Sequence, residues 1–89
     1  MPVPKGYNDS EARAVLHELI LPRVTEFAPE ALVLQCGADS LTEDPLSRLC
    51  LSNRAYLEAL RALMPLCPRL LVLGGGGYNP WTVGRLWTA

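Results

Sequence analysis

The sequence predicts an α/β fold with parallel strands, in the order helix, strand, helix, strand, helix. Two short apolar runs, "ALVLQC" (Ala31 to Cys36) and "PRLLVLG" (Pro68 to Gly74), each lead into glycine. Such runs mark strands covered on both faces. Residues at helical spacing precede, separate and follow them. A strand–helix–strand unit of this length implies parallel strands joined by a right-handed crossover.

The elements follow in order. "PVPKGYNDS" is rich in Pro, Gly, Asn and Asp and reads as a loop. Asn8, Asp9 or Ser10 can cap the first helix. Its apolar stripe runs Ala12, Val15, Leu16, Leu19, Ile20. Pro22 should kink or interrupt that helix, and a further turn carries Val24 and Phe27 before Pro29 ends it. His17 lies off the stripe, facing solvent. After the first strand, "GADSLTEDPLSR" is a polar loop holding Asp39, Glu43 and Asp44. Ser52 can cap the second helix, whose inner face holds Tyr56, Ala59, Leu60, Leu63 and Met64. Four glycines close the second strand. Asn79 as cap and Pro80 at the first helical position begin the third helix.

With 89 residues the chain amounts to at most one small domain, and its net charge of −1 leaves no electrostatic footprint for nucleic acid or an anionic membrane. No apolar run reaches the length of a membrane span, and the opening residues lack the apolar core of a signal peptide, so a cytoplasmic location is expected. Three cysteines without C-x-x-C spacing argue against a disulfide framework or a Cys-rich zinc module. Cys36, inside an apolar run, reads as a buried thiol. Two strands that are apolar throughout need more cover than three helices supply. The chain looks cut from something larger.

In an open parallel sheet, ligands sit beyond the carboxyl ends of the strands. Both unusual loops fall there, "CGAD" after the first strand and "GGGGY" after the second. Asp39 and Tyr78 are therefore expected on one edge, ~5–10 Å apart if the strands are neighbours. Taken alone, a loop aspartate more often caps a helix or hydrates a turn. A lone tyrosine more often packs. The glycines match neither G-x-G-x-x-G nor G-x-x-x-x-G-K-[ST], although a helix starting at Pro80 favours an anion nearby.

"VLQCGADSLTEDPLSRLCLS" together with "LLVLGGGGYNPWTVGRLWT" resembles the zinc-dependent deacetylases of the histone deacetylase superfamily, with wording similar to the bacterial acetoin-utilisation branch. "PVPKGYND" fits the same family, so the likeness extends over residues 1–89. The resemblance implies a segment of the three-layer arginase/deacetylase fold, taken from the later half of its domain. It implies that Asp39 is a ligand of the catalytic zinc, or of another divalent transition metal in its place, bound only in the intact domain, and that Tyr78 hydrogen-bonds the substrate carbonyl. Leu46 corresponds to a residue lining the acyl-lysine tunnel, and Gly76 and Gly77 to the wall behind the metal. The substrate implied is an acetylated lysine or a small acetylated amine.

The family's D-x-H ligands and tandem histidine pair have no counterpart in these residues, and His17 matches no catalytic position. The isolated 89 residues are therefore expected to be inactive. The remainder of the domain, or a partner chain, is needed to complete sheet and site. Two other readings stay open: a non-catalytic remnant that acts only by docking to a partner, and a phosphate- or nucleotide-binding loop.

Overall fold

The computed structural model describes residues 3–46 and 48–89. The first helix is one interrupted rod: α1 (Asp9–Val15), a π-helical turn (Leu16–Ile20) and α2 (Leu21–Phe27). Asn8 caps it, its side chain accepting the Glu11 N–H at 3.1 Å. The interruption expected at Pro22 takes the form of the π turn just before it. Proline has no N–H to donate and its ring crowds the carbonyl four residues earlier. The chain widens instead, and the Leu21 N–H reaches back five residues to the Leu16 carbonyl. Ala28 adopts a left-handed conformation (φ 51°) and its N–H closes the helix on Val24 O at 2.9 Å, ahead of Pro29.

Strands β1 (Ala31–Gln35) and β2 (Arg69–Leu73) pair in parallel, Ala31 opposite Arg69 through Gln35 opposite Leu73. Between them, α3 (Asn53–Leu63) begins at Ser52, whose hydroxyl accepts the Arg54 N–H at 3.2 Å. Met64 departs from expectation: it is 56% exposed rather than on the inner face. The α-helix ends at Leu63, and Pro65 converts Met64–Leu66 into a 3₁₀ turn that carries Met64 off the buried stripe. The final helix, α4 (Pro80–Trp87), has Asn79 and Pro80 in the expected positions.

The loop between β1 and α3 is stitched down at several points. Leu51 N–H donates to Ser40 O at 3.2 Å and Thr42 N–H to Leu51 O at 3.0 Å. Tyr7 O accepts the Cys50 N–H at 2.7 Å. The Asp9 carboxylate holds the start of α3, accepting the Ser52 N–H at 2.7 Å together with the Ser52 hydroxyl. An exposed Arg13–Glu58 ion pair links α1 to α3; such pairs add little stability. Cys36 and Cys67 are buried free thiols and Cys50 is exposed. His17 is exposed, as expected. Among the described residues no helix is long and apolar enough to cross a membrane.

The core sits at one end of the sheet. Ala38, Leu41 and Leu86 are its buried members, with Tyr56 and Val83 packed against them. Ala38 and Leu41 come from the loop after β1 and Leu86 from α4, so the best-buried part of the molecule lies beneath the strand ends. The strands themselves are only partly covered, with Val33 60%, Leu71 56% and Val72 45% exposed. Covering on both faces, which their composition calls for, is not provided by these residues.

Asn79 accepts the Trp81 and Thr82 N–H groups at 3.1 and 3.4 Å. Asn79→Ala is therefore expected to lower the unfolding free energy by about 1 kcal/mol, the usual worth of such a cap. Urea denaturation checks it, and an unchanged midpoint would show that the α4 cap contributes nothing to the fold.

Candidate active site

The site begins where the two parallel strands end. The ladder continues one residue past β1, with Cys36 N–H donating to Leu73 O at 2.7 Å. Gly37 then leads into a 3₁₀ turn (Ala38–Ser40), and the Ala38 N–H donates across to Gly76 O at 2.6 Å. The two strand-end loops are thereby joined backbone to backbone, with Asp39 beside the glycine run.

Two of the glycines show why this run lacks side chains. A Cβ on Gly76 would lie 2.2 Å from Asp39 Oδ2 and 2.8 Å from its Cγ, so a side chain there would push the carboxylate from its place. Gly77 has φ +154°, and a Cβ there would stand 2.5 Å from Val83 Cγ2 and 3.1 Å from Ala38 Cβ. The glycines thus serve close backbone approach, here to a carboxylate and to the core. Phosphate binding finds no support at this place, because the Asn79 side chain already occupies the Trp81 and Thr82 N–H groups.

Asp39, Ser40, Leu46, Leu49 and Tyr78 line one open depression of about 340 Å³. Asp39 and Tyr78 are therefore together, on the edge where the strand order puts them, and Leu46 joins them. Neither Asp39 oxygen accepts a hydrogen bond from the described residues, and the Tyr78 phenol also has no such partner. Leu46 is 68% and Tyr78 54% exposed. Gly76 and Gly77 do not line this depression; Gly76 stands against Asp39 and Gly77 against Val83 and Ala38.

Three side chains whose part in the site sequence reasoning did not identify hold it in shape. Tyr56, read only as a member of the inner face of α3, donates its hydroxyl to Gly37 O at 2.6 Å. Its single proton being used there, the Ser40 hydroxyl donates to the Tyr56 oxygen. Asp44 is 4% exposed and accepts the Leu46 N–H at 2.9 Å and the Tyr78 N–H at 2.8 Å. The signal for Asp44 was present in "DPL": an aspartate that accepts the N–H two residues on makes an Asx turn, which Asp-Pro favours. From α4, the Trp87 indole N–H donates to Cys36 O at 2.9 Å.

Burial pushes the Tyr56 phenol up to about 12 from its ordinary 10.0, and the nearby Cys36 and Asp39 charges act in the same direction.

As one carboxylate beside open space, Asp39 fits a metal as a single donor. Among the described residues no three His, Cys, Asp or Glu side chains gather into a metal-holding group. Any metal bound here takes its other ligands from elsewhere.

The geometry defines a class first: a segment of a parallel α/β domain with an acid and a phenol converging at the strand ends. The histone deacetylase domain profile matches residues 1–89. Histone deacetylase 6 of Arabidopsis thaliana is 41% identical over 87 residues, covering 98% of this chain and 18% of that protein. Putative histone deacetylase 2 of Caenorhabditis elegans is 48% identical over 73 residues, covering 81% of this chain and 14% of that protein. The crystal structure of an HDAC homolog from Aquifex aeolicus superposes with a TM-score of 0.83 at 42% identity, over 98% of this chain and 23% of that one. That of the HDA15 HD domain gives a TM-score of 0.89 at 26% identity, over 96% and 25%. The chain belongs to the histone deacetylase family, is a segment of the arginase/deacetylase fold, and spans under a quarter of the length of these curated relatives.

The Tyr56 shift has a stability consequence with a definite sign. The folded chain favours the neutral phenol, so this contribution is complete below the unfolded value near 10.0 and is lost as pH rises toward about 12. Thermal melts between pH 9 and ~12 are expected to show a steeper alkaline loss for the natural sequence than for Tyr56→Phe. Parallel curves would show that Tyr56 is not buried as described.

Proposed function

We propose that this chain is the part of a zinc-dependent deacetylase domain, incomplete over residues 1–89, that supplies one metal ligand and the carbonyl-binding tyrosine for hydrolysis of acetyl-lysine or acetyl-amine amides. The observation that carries this reading is the convergence of Asp39, Tyr78 and Leu46 on one depression at the strand ends. In it, Asp39 holds zinc, whose chemistry when bound is to polarise the amide carbonyl and acidify a water.

The chain's own residues do the rest of what falls to them. The Tyr78 hydroxyl, without a hydrogen-bond partner among the described residues and half exposed, donates to the carbonyl oxygen as negative charge gathers on it during attack. Leu46 offers an apolar wall to the acyl-lysine chain. Gly76 and Gly77 bring backbone close to Asp39 and to the core without side chains that would displace them. The remaining ligands and the group that takes the proton from water come from the rest of the domain.

The exposed Val33, Leu71 and Val72 favour a second, compatible statement. The chain docks onto further strands, in the same polypeptide or a partner, and where those lack catalytic histidines it acts only as a docking remnant.

The test is made in the assembled deacetylase domain that contains this segment, on an acetyl-lysine peptide. Tyr78→Phe should lower kcat on the order of 10²–10³-fold with bound zinc retained, as for loss of one oxyanion donor. Asp39→Asn should lose zinc by atomic absorption. Full activity in Tyr78→Phe, or full zinc content in Asp39→Asn, would overturn the assignment, and the 89 residues alone should hydrolyse nothing.

A further inference from the structure

One carboxylate ties together two residues that line opposite parts of the chain's sequence but a single depression. Asp44 Oδ2 accepts the Tyr78 N–H at 2.8 Å and Asp44 Oδ1 accepts the Leu46 N–H at 2.9 Å. Its own N–H donates to the carbonyl of Leu41, a fully buried core residue, at 3.1 Å. Next to it, Glu43 O accepts the Asn79 side-chain amide at 3.2 Å and the Glu43 carboxylate pairs with Arg85 at 3.2 Å. The Glu43–Asp44 dipeptide therefore grips Tyr78, Asn79 and α4 at once, from a loop anchored in the core.

A carboxylate shielded from water is costly unless hydrogen bonds replace its hydration. Bonds from N–H groups to an ionised oxygen are the strong kind. Tyr78 follows four glycines and carries an exposed side chain, and among the described residues Asp44 is the hydrogen-bond partner of its backbone N–H. We propose that Asp44 is a positioning residue: it holds the Tyr78 backbone and the Leu46 backbone at a set separation, and so sets where the phenol stands relative to the apolar wall. This rests on the reading of Tyr78 as carbonyl donor. Asparagine in place of Asp44 presents an NH₂ where one of the two N–H groups needs an acceptor. Serine can keep the local turn to Leu46 but is too short for the second bond.

The experiment is a double-mutant cycle in the assembled deacetylase domain, with kcat and KM measured on acetyl- and butyryl-lysine peptides. Asp44→Asn and Asp44→Ser should each lower kcat about 10- to 100-fold, the effect of a small misplacement of a reacting group. They should shift the acetyl-to-butyryl preference, and change kcat by less than about twofold in a Tyr78→Phe background, because the residue acts through that hydroxyl. Equal losses in both backgrounds, or an unchanged acyl preference, would overturn the inference while leaving Tyr78 as donor. Unchanged kcat in Tyr78→Phe alone would overturn the donor reading and the inference with it. Should both Asp44 variants fail to fold, amide exchange of the unmutated protein decides: a protected Tyr78 N–H supports the clamp, and exchange at the rate of a free peptide refutes it.

Discussion

The close approach of the two strand-end loops is the constraint on which the rest of this molecule depends. A single backbone bond, Ala38 N–H to Gly76 O at 2.6 Å, joins them. Gly76 lets it form with Asp39 in place, since a Cβ there would strike the carboxylate. With the loops joined, Asp39 from one strand and Tyr78 from the other face the same depression. The fully buried Ala38 and Leu41 then become the floor of the core rather than part of a solvated loop.

Around that joint, side chains satisfy backbone groups that the parallel ladder leaves open. Tyr56 rises from α3 to the Gly37 carbonyl and Trp87 returns from α4 to the Cys36 carbonyl. A buried carbonyl without a donor is expensive, so each of these bonds limits how far the loop can move. The site is thus held by two helices acting on main-chain atoms, and among the described residues nothing bonds the Asp39 carboxylate or the Tyr78 phenol. Stability is distributed unevenly. Ala38, Leu41 and Leu86 are packed together, while the sheet shows Val33, Leu71 and Leu73 to solvent, and what covers the sheet decides how stable the assembly is.

Much of this was legible in the residues. The two strand runs, the Asn79–Pro80 start of α4 and the gathering of Asp39 with Tyr78 all follow from local pattern plus the rule that parallel sheets bind ligands at their carboxyl ends. The glycine run also announced close backbone approach, though not that Asp39 Oδ2 was the atom approached. Met64 leaves the stripe that spacing predicts because periodicity alone does not register a proline that changes the helix from α to 3₁₀. The Asx turn of Asp44 is local, but the Tyr56–Gly37 and Asp44–Tyr78 bonds are hidden from the sequence for a different reason. They are contacts with backbone atoms 19 and 34 residues away, and no local spacing encodes such a partner.

Hydrogen–deuterium exchange of Gly76→Ala against the natural sequence tests the joint between the strand-end loops most directly. Exchange should be faster at the Ala38 and Tyr78 amides, with the β1–β2 ladder amides protected as before. Unchanged protection at Ala38 would mean that the loops are not held by the approach at Gly76, and the common origin argued for Asp39 and Tyr78 would be contradicted.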